Sequence, residues 1–444
     1  MLFHQMVVLS GGIAFIVWAT AYKKINAFFA LLLAALGVGV LSGIPLSDIT
    51  GILRATFGHT MEKIGLLILL GTALGVILEK TGATIAMANA ILRMVRENNA
   101  PAAISMTGFL IGLPIFCDSG FIILNGLNHS LVARSRFGMP VMAGALATAL
   151  YSVHCLVPPH PGISAATGSI GGDLGLVMLL GIAYAVPAAI VGYLWSVRRG
   201  SRITEGYVKL EVVDVEVKRL PKILPSFLPV ILPILLIALK SLLALPVLQA
   251  EVGANTILRA VEFLGDPVIA LGVGIMVSMP LVQLRHRPEL SAWLTEGVEK
   301  AGVILAIIAA GGMFGGMLQA TESDKRLGEL LGTSSLGLFF PFLITAVLKT
   351  AQGSSTVAII TASSLVTPLM QSLGLTSSLD ITLTILSMGA GSMMVSHAND
   401  AYFWVISRFS NMETSPTMKV YSVATVWMAL TTQFLIWITW LLAS

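Results

Sequence analysis

Two carboxylates stand in apolar surroundings: Asp118, within Pro114-Ile115-Phe116-Cys117-Asp118-Ser119-Gly120, and Asp400, closing Ser396-His397-Ala398-Asn399-Asp400. An acidic side chain deep in a bilayer costs about 2.5–3.5 kcal/mol on insertion scales, so each needs a reason to be there. One reason is proton uptake. The other is an N-cap, the carboxylate being held by the first backbone N–H groups of a helix. His154, His160 and His397 lie at similar interruptions, and imidazole changes charge in the physiological range. Asp118, His154, His397 and Asp400 are therefore the candidates for carrying a proton. The bland alternative for each histidine is a hydrogen bond to a freed carbonyl. His154 and His160 do not have zinc-ligand spacing and no HExxH occurs, so neither a metal nor a cofactor is expected. Lys349 could attract a carboxylate, but the expectation is that its stem snorkels the charge toward water, as for Lys240.

These residues fall where apolar sequence is broken by small polar residues and prolines. A helix broken inside a bilayer frees N–H and C=O groups that hydrocarbon cannot satisfy, so breaks are tolerated only against protein or a wet cavity. The first two breaks are Pro114 to Gly120 and His154-Cys155-Leu156-Val157-Pro158-Pro159-His160-Pro161-Gly162. The other two are Gln352-Gly353-Ser354-Ser355-Thr356 and Ser396 to Asp400. Each starts a half-helix whose N–H groups and positive dipole end favour an anion. Ser119, Ser354, Ser355 and Thr356 add hydroxyls, and Asn399 both donates and accepts. Together with Asp118, Gly120, His154, His160 and Gly353 they form the candidate substrate-binding set, suited to a small hydroxylated organic anion. The competing expectation is that Ser, Thr, Asp and Asn here merely cap their half-helices.

The elements that must position these groups are membrane helices. Of the 444 residues 56% are hydrophobic and 11% charged, against roughly 25% charged in soluble domains. The mean hydropathy is +0.90, which excludes a soluble body on one anchor. Continuous apolar runs such as Phe28 to Val40 exclude the alternating segments of a membrane barrel. The net charge of +4 comes without a basic stripe interleaved with aromatics, so nucleic acid is not an expected partner. Cys117 and Cys155 fall in apolar segments and suggest no disulfide framework. The first span lacks a basic leader and a small-residue cleavage site and reads as a retained helix.

Spans are expected at about 6–22, 25–44, 63–79, 139–172 and 175–196, and again at 226–246, 268–284, 303–318, 379–406 and 420–443. Residues 101–133 and 334–372 are apolar stretches interrupted midway, each read as a re-entrant hairpin. Residues 139–172 and 379–406 are broken helices. Seven basic and four acidic side chains between Arg198 and Lys222 mark the one long hydrophilic loop, 198–225, placed in the cytoplasm by the positive-inside rule together with Lys23 and Lys24. Arg93, Arg96, Arg134, Arg136, Arg285, Arg287, Arg408 and Lys419 fit the same bookkeeping, and Lys325 and Arg326 do not. Both termini then lie in the periplasm. An odd number of spans per half makes residues 1–197 and 226–444 two inverted repeats. Glu62-Lys63-Ile64-Gly65 recurring as Glu299-Lys300-Ala301-Gly302 supports this. The expected fold is thus an all-α polytopic membrane protein of about ten transmembrane helices plus two re-entrant hairpins.

At these same residues the chain becomes recognisable. GLPIFCDSGFIIL from Gly112, LVPPHPG from Leu156, AQGSSTVA from Ala351 and SHANDAYFW from Ser396 resemble the gluconate permease family, within the larger ion transporter superfamily. The resemblance covers nearly the whole chain in length, central loop and motif order. It implies a proton-coupled importer of gluconate or a related sugar acid in the bacterial inner membrane, one branch of the family taking D-serine. It also implies a scaffold domain and an elevator-like transport domain containing the hairpins and broken helices, and a homodimer. One departure is local: gluconate and D-serine members carry a glutamate and a valine before the hairpin glycine, where this chain has Asp118 and Ser119. That bears on the substrate, not on the family.

The expected function is symport of a small hydroxylated monocarboxylate with one or more protons across the lipid bilayer. A sodium-coupled or antiporting carrier would use the same breaks, with carbonyls and hydroxyls around a cation. An intramembrane enzyme, with Asp118, Ser119 and His154 as an imagined catalytic set, has no nucleophile motif behind it.

Overall fold

In the computed structural model, residues 2–23, 25–94, 99–207, 220–243, 256–282, 288–321 and 337–443 are described, and among them there is no strand beyond a single bridge between Tyr207 and Met412. The first half runs α1 (Leu2–Val17, extended by a π turn to Tyr22), α2 (Ala27–Leu41), α3 (Leu46–Lys80), α4 (Ala83–Met94), α5 (Ala100–Gly112), α6 (Cys117–Arg134), α7 (Met139–Leu156), α8 (Pro161–Ile170) and α9 (Leu174–Gly200). The second half runs α10 (Ile223–Leu243), α11 (Thr256–Leu264), α12 (Pro267–Ser278), α13 (Leu290–Ala320), α14 (Phe339–Gln352), α15 (Ser355–Val366), α16 (Ser378–Ser392), α17 (Ala401–Phe409), α18 (Thr414–Thr417) and, after a π turn, α19 (Val423–Ala443). Six helices among the described residues are long and apolar enough to cross a membrane: α3, α7 with α8, α9, α10, α13 and α18 with α19.

Both interrupted stretches form helix pairs, α5 with α6 and α14 with α15, and both expected broken helices break, between α7 and α8 and between α16 and α17. The third span and its counterpart are longer than expected. α3 begins at Leu46 and not near 63, and α13 at Leu290 and not near 303. Their N-terminal halves carry Asp48, Arg54, His59 and Glu62, and Glu296, Glu299 and Lys300, which bound an apolar run without ending a helix. α4 was not expected as an element at all. The hydrophilic loop is shorter than 198–225, because α9 stays helical to Gly200 and α10 starts at Ile223. Lys24, Arg96, Lys209, Lys218, Arg219, Arg285, Arg287, Lys325 and Arg326 lie outside the described residues.

Every residue of α7 except His154 is buried, as is α16 from Thr382 to Ser392. Such all-round burial is what a helix at the centre of a bundle requires. α10 and α19 instead turn Leu224, Leu235, Trp427 and Phe434 outward, faces suited to lipid. The two long helices α3 and α13 pack antiparallel. Cβ atoms added at Gly297, Gly312 and Gly316 would fall 2.8 Å from Ala73 Cα, 2.1 Å from Thr60 Oγ1 and 2.2 Å from Thr56 Cγ2. Small residues at such crossings let membrane helices approach closely.

Candidate functional site

Four helix N-termini converge on one cavity of about 480 Å³. Its wall is built from Phe116 to Ser119 at the start of α6, Pro161 at the start of α8, Ser354 to Thr356 at the start of α15, and Asp400 to Tyr402 at the start of α17. Three of these elements start where they do because proline or glycine ends the preceding helix, while the break before α17, residues 393–400, holds neither and turns through Val395 at φ +42°. Leu113 and Pro114 follow α5, Pro158 and Pro159 follow α7, and Gly353 ends α14 with φ +84°, a conformation that favours glycine. A Cβ at Gly353 would also lie 2.1 Å from the Asn399 carbonyl oxygen. The tip of the second hairpin is therefore pressed onto the second broken helix.

The four N-termini differ in how their N–H groups are used. Ser354 Oγ accepts from Val357 N–H at 3.3 Å, and Asp400 Oδ1 accepts from Tyr402 N–H at 3.0 Å. For these two residues the capping expectation is what the structure contains. No side chain caps α6 or α8. The first-turn N–H groups of α6 belong to cavity-lining residues and remain available to an anion, whereas α8 presents only Pro161, which has no N–H.

Asp118 lines the cavity, half-buried, in the first turn of α6; the Cys117 thiol donates to its Oδ1 at 3.4 Å, and it has no ion-pair partner among the described residues. Asp400 is different. Its Oδ2 accepts from Lys349 Nζ at 2.6 Å and from the Ser396 hydroxyl. Lys349 is fully buried and also donates to the Gly353 carbonyl at 2.5 Å. The snorkelling expectation for Lys349 is thus wrong: its partner stands in the break of another helix, and pairing removes the need to reach water. Lys240 does lie at the surface, 3.8 Å from Asp266.

The histidines separate. His154 lines the cavity with Nδ1 buried and unbonded, its ring 4.9 Å from that of His160. His160 is buried behind the wall, where Nε2 bonds the Gly112 carbonyl at 2.7 Å and ties the first broken helix to the first hairpin. His397 stands off the cavity with Nε2 3.3 Å from the Thr350 carbonyl. Gly120 is also behind the wall, where a Cβ would meet Leu150 Cδ2 at 2.8 Å. Ser119, Gly353, Ser354, Ser355, Thr356 and Asn399 all line the cavity. Asn399 Nδ2 donates to the Thr350 carbonyl at 2.8 Å, answering a carbonyl freed at the end of α14.

Several lining residues were not expected. Tyr151 on α7 and Tyr402 on α17 stack at 5.8 Å; the Tyr151 hydroxyl donates to the Ser392 carbonyl at 3.0 Å and that of Tyr402 to the Ala147 carbonyl at 3.1 Å. Gln352, next to the recognised hairpin glycine, has both amide atoms buried without a partner, as does Asn399 Oδ1. Buried polar atoms are nearly always bonded, so these and His154 Nδ1 are positions for a ligand's polar groups. Lys300 and Ile304 of α13 close one side. Lys300 stands 2.7 Å from Glu296, which also pairs with Lys80 at 2.8 Å. Among the described residues no group of His, Cys, Asp and Glu could hold a metal ion.

The match that decides the family spans residues 4–442, against the model of the GntP family permeases. The chain belongs to the GntP permease family. It is 30% identical over 427 residues to the gluconate permease of Pseudomonas aeruginosa, covering 92% of this chain and 91% of that one. It is 28% identical over 425 residues to the high-affinity gluconate transporter of Escherichia coli, covering 94% and 95%. In fold it resembles the YdaH transporter of Alcanivorax borkumensis, with a TM-score of 0.63 at 13% identity over 93% of this chain and 98% of that one. This GntP permease is a transporter of the membrane, not an enzyme, and its cavity is a binding site to be read in those terms.

Proposed function

We propose that this permease imports a small hydroxylated monocarboxylate, gluconate or a related sugar acid, with one or more protons across the bacterial inner membrane. The observation that carries the reading is the cavity enclosed by four half-helix N-termini, two of them uncapped. The uncapped end of α6 takes the carboxylate, and Ser119, Thr356, Gln352 and Asn399 answer hydroxyls. Its size falls within the roughly 300–1,000 Å³ of small-molecule sites. Asp118 stands at one of the uncapped ends, where its ionised form would repel the substrate carboxylate. A proton on Asp118 removes that repulsion, so substrate and proton bind together. The names of the relatives support a sugar acid.

In the same reading, residues 1–197 and 226–444 are inverted repeats, a relation supported by the matching order of elements and the antiparallel pairing of α3 with α13. The hairpins and broken helices move together as a transport domain against a scaffold of the remaining spans. Two copies form a homodimer, the loop after α9 faces the cytoplasm and both termini face the periplasm. The test is uptake by purified protein in liposomes. Labelled gluconate accumulates under an inward proton gradient without sodium, and unlabelled sugar acids compete. Dependence on sodium at fixed pH overturns the coupling, and indifference to every sugar acid, hydroxy acid and D-serine overturns the substrate class.

A further inference from the structure

The Lys349 ammonium occupies a nest of oxygen atoms from two separate breaks. Gly353 at the second hairpin tip contributes its carbonyl at 2.5 Å, and Asp400 at the second broken helix contributes Oδ2 at 2.6 Å. Ser396 sets its hydroxyl on the same carboxylate oxygen. The Tyr151 ring stands 5.8 Å from Nζ on the cavity side. A carbonyl and a carboxylate oxygen converging at such distances are the ligand types that hard cations select, and the Ser396 hydroxyl holds that carboxylate in place. The ammonium and the carboxylate each carry one charge, so the matching free ion is monovalent.

We propose that Lys349 is a tethered cation: its ammonium fills a site between the Gly353 carbonyl and the Asp400 carboxylate that would otherwise bind a sodium or potassium ion, and so keeps this permease independent of those ions. The side chain is fully buried, so bulk cations do not compete for the position. A charged Asp400 without a counter-ion would be strongly disfavoured there, and the lysine supplies that counter-ion permanently. The inference rests on the transport reading only for its consequence. Cation binding itself is measurable on solubilised protein, so it can fail while proton-coupled transport stands, and the reverse.

The experiment compares thermal unfolding of wild type, Lys349→Ala and Lys349→Ala/Asp400→Asn in sodium, potassium and choline chloride at equal ionic strength. Wild type unfolds at the same temperature in all three. Lys349→Ala is stabilised by sodium or potassium over choline, saturably and by roughly 3–5 °C at about a hundredfold excess over the dissociation constant. The double variant, lacking both charges, loses that response. A wild type stabilised by sodium, a Lys349→Ala protein indifferent to both ions, or a double variant that responds as the single one does would each overturn the proposal. So would a Lys349→Ala protein that is unfolded in every salt, because a free cation then cannot take the place of the ammonium.

Discussion

Gly353 and Asn399, one at the hairpin tip and the other in the second broken helix, approach so closely that a Cβ on the first would stand 2.1 Å from the carbonyl oxygen of the second. Gly353 also holds φ at +84°. Gly353→Ala therefore meets both left-handed strain, about 1–2 kcal/mol, and overpacking, about 1–3 kcal/mol. Thermal unfolding of the variant is expected well below wild type, with uptake falling along with it. An unchanged melting temperature would mean that the tip does not need this approach.

Asp118→Asn keeps the size of the side chain and deletes its charge change. The variant is expected to bind substrate and to exchange labelled for unlabelled substrate across liposomes. Accumulation driven by a pH gradient is lost. Wild-type accumulation at equal protein level would move the coupling proton to His154, which is the other cavity-lining candidate without an ion-pair partner among the described residues.

The contrast between Asp118 and Lys349 shows where the sequence was legible. A carboxylate in an apolar run beside proline and glycine announces a broken helix, and all four breaks and their hydroxyls could be placed from residue type and order alone. What the order of residues does not reveal is pairing at a distance. Lys349 and Asp400 are 51 positions apart, so the lysine alone looked like a snorkelling side chain. Tyr151, Tyr402 and Lys300 were missed for the same reason: an aromatic or basic residue in a helix carries no mark of the cavity it faces. Their role depends on how α7, α17 and α13 are rotated against the other elements. The start of α3 was missed for another reason. Apolar run length measures bilayer thickness, whereas the helix itself continues as long as its backbone is unbroken.

His160 tests whether a buried imidazole can serve architecture and not titration. It bonds the Gly112 carbonyl at the end of α5, so His160→Phe leaves a buried acceptor unanswered and is expected to cost about 1–3 kcal/mol in stability. His160→Gln, whose amide can still donate, should recover much of that loss and keep the pH dependence of uptake. A pH profile displaced in the glutamine variant at full stability would instead give the histidine a part in coupling.

The crossing of α3 and α13 can be probed without touching the cavity wall. At Gly312 an added Cβ would meet Thr60 Oγ1 at 2.1 Å and the Thr56 carbonyl oxygen at 3.3 Å, so the nearer obstacle is a single hydroxyl. That hydroxyl already donates to the Thr56 carbonyl at 2.8 Å, which fixes its rotamer and leaves it little freedom to turn away. Gly312→Ala is expected to destabilise by about 1–3 kcal/mol through overpacking. Thr60→Ala removes the obstructing atom, leaving the next contact, Thr60 Cβ, at 3.2 Å. The double variant should therefore be more stable than the sum of the single effects predicts, by about 0.5–3 kcal/mol in a thermodynamic cycle for residues in contact. Strict additivity would show that the helices separate to admit the methyl group, and that their close approach is not what holds the crossing.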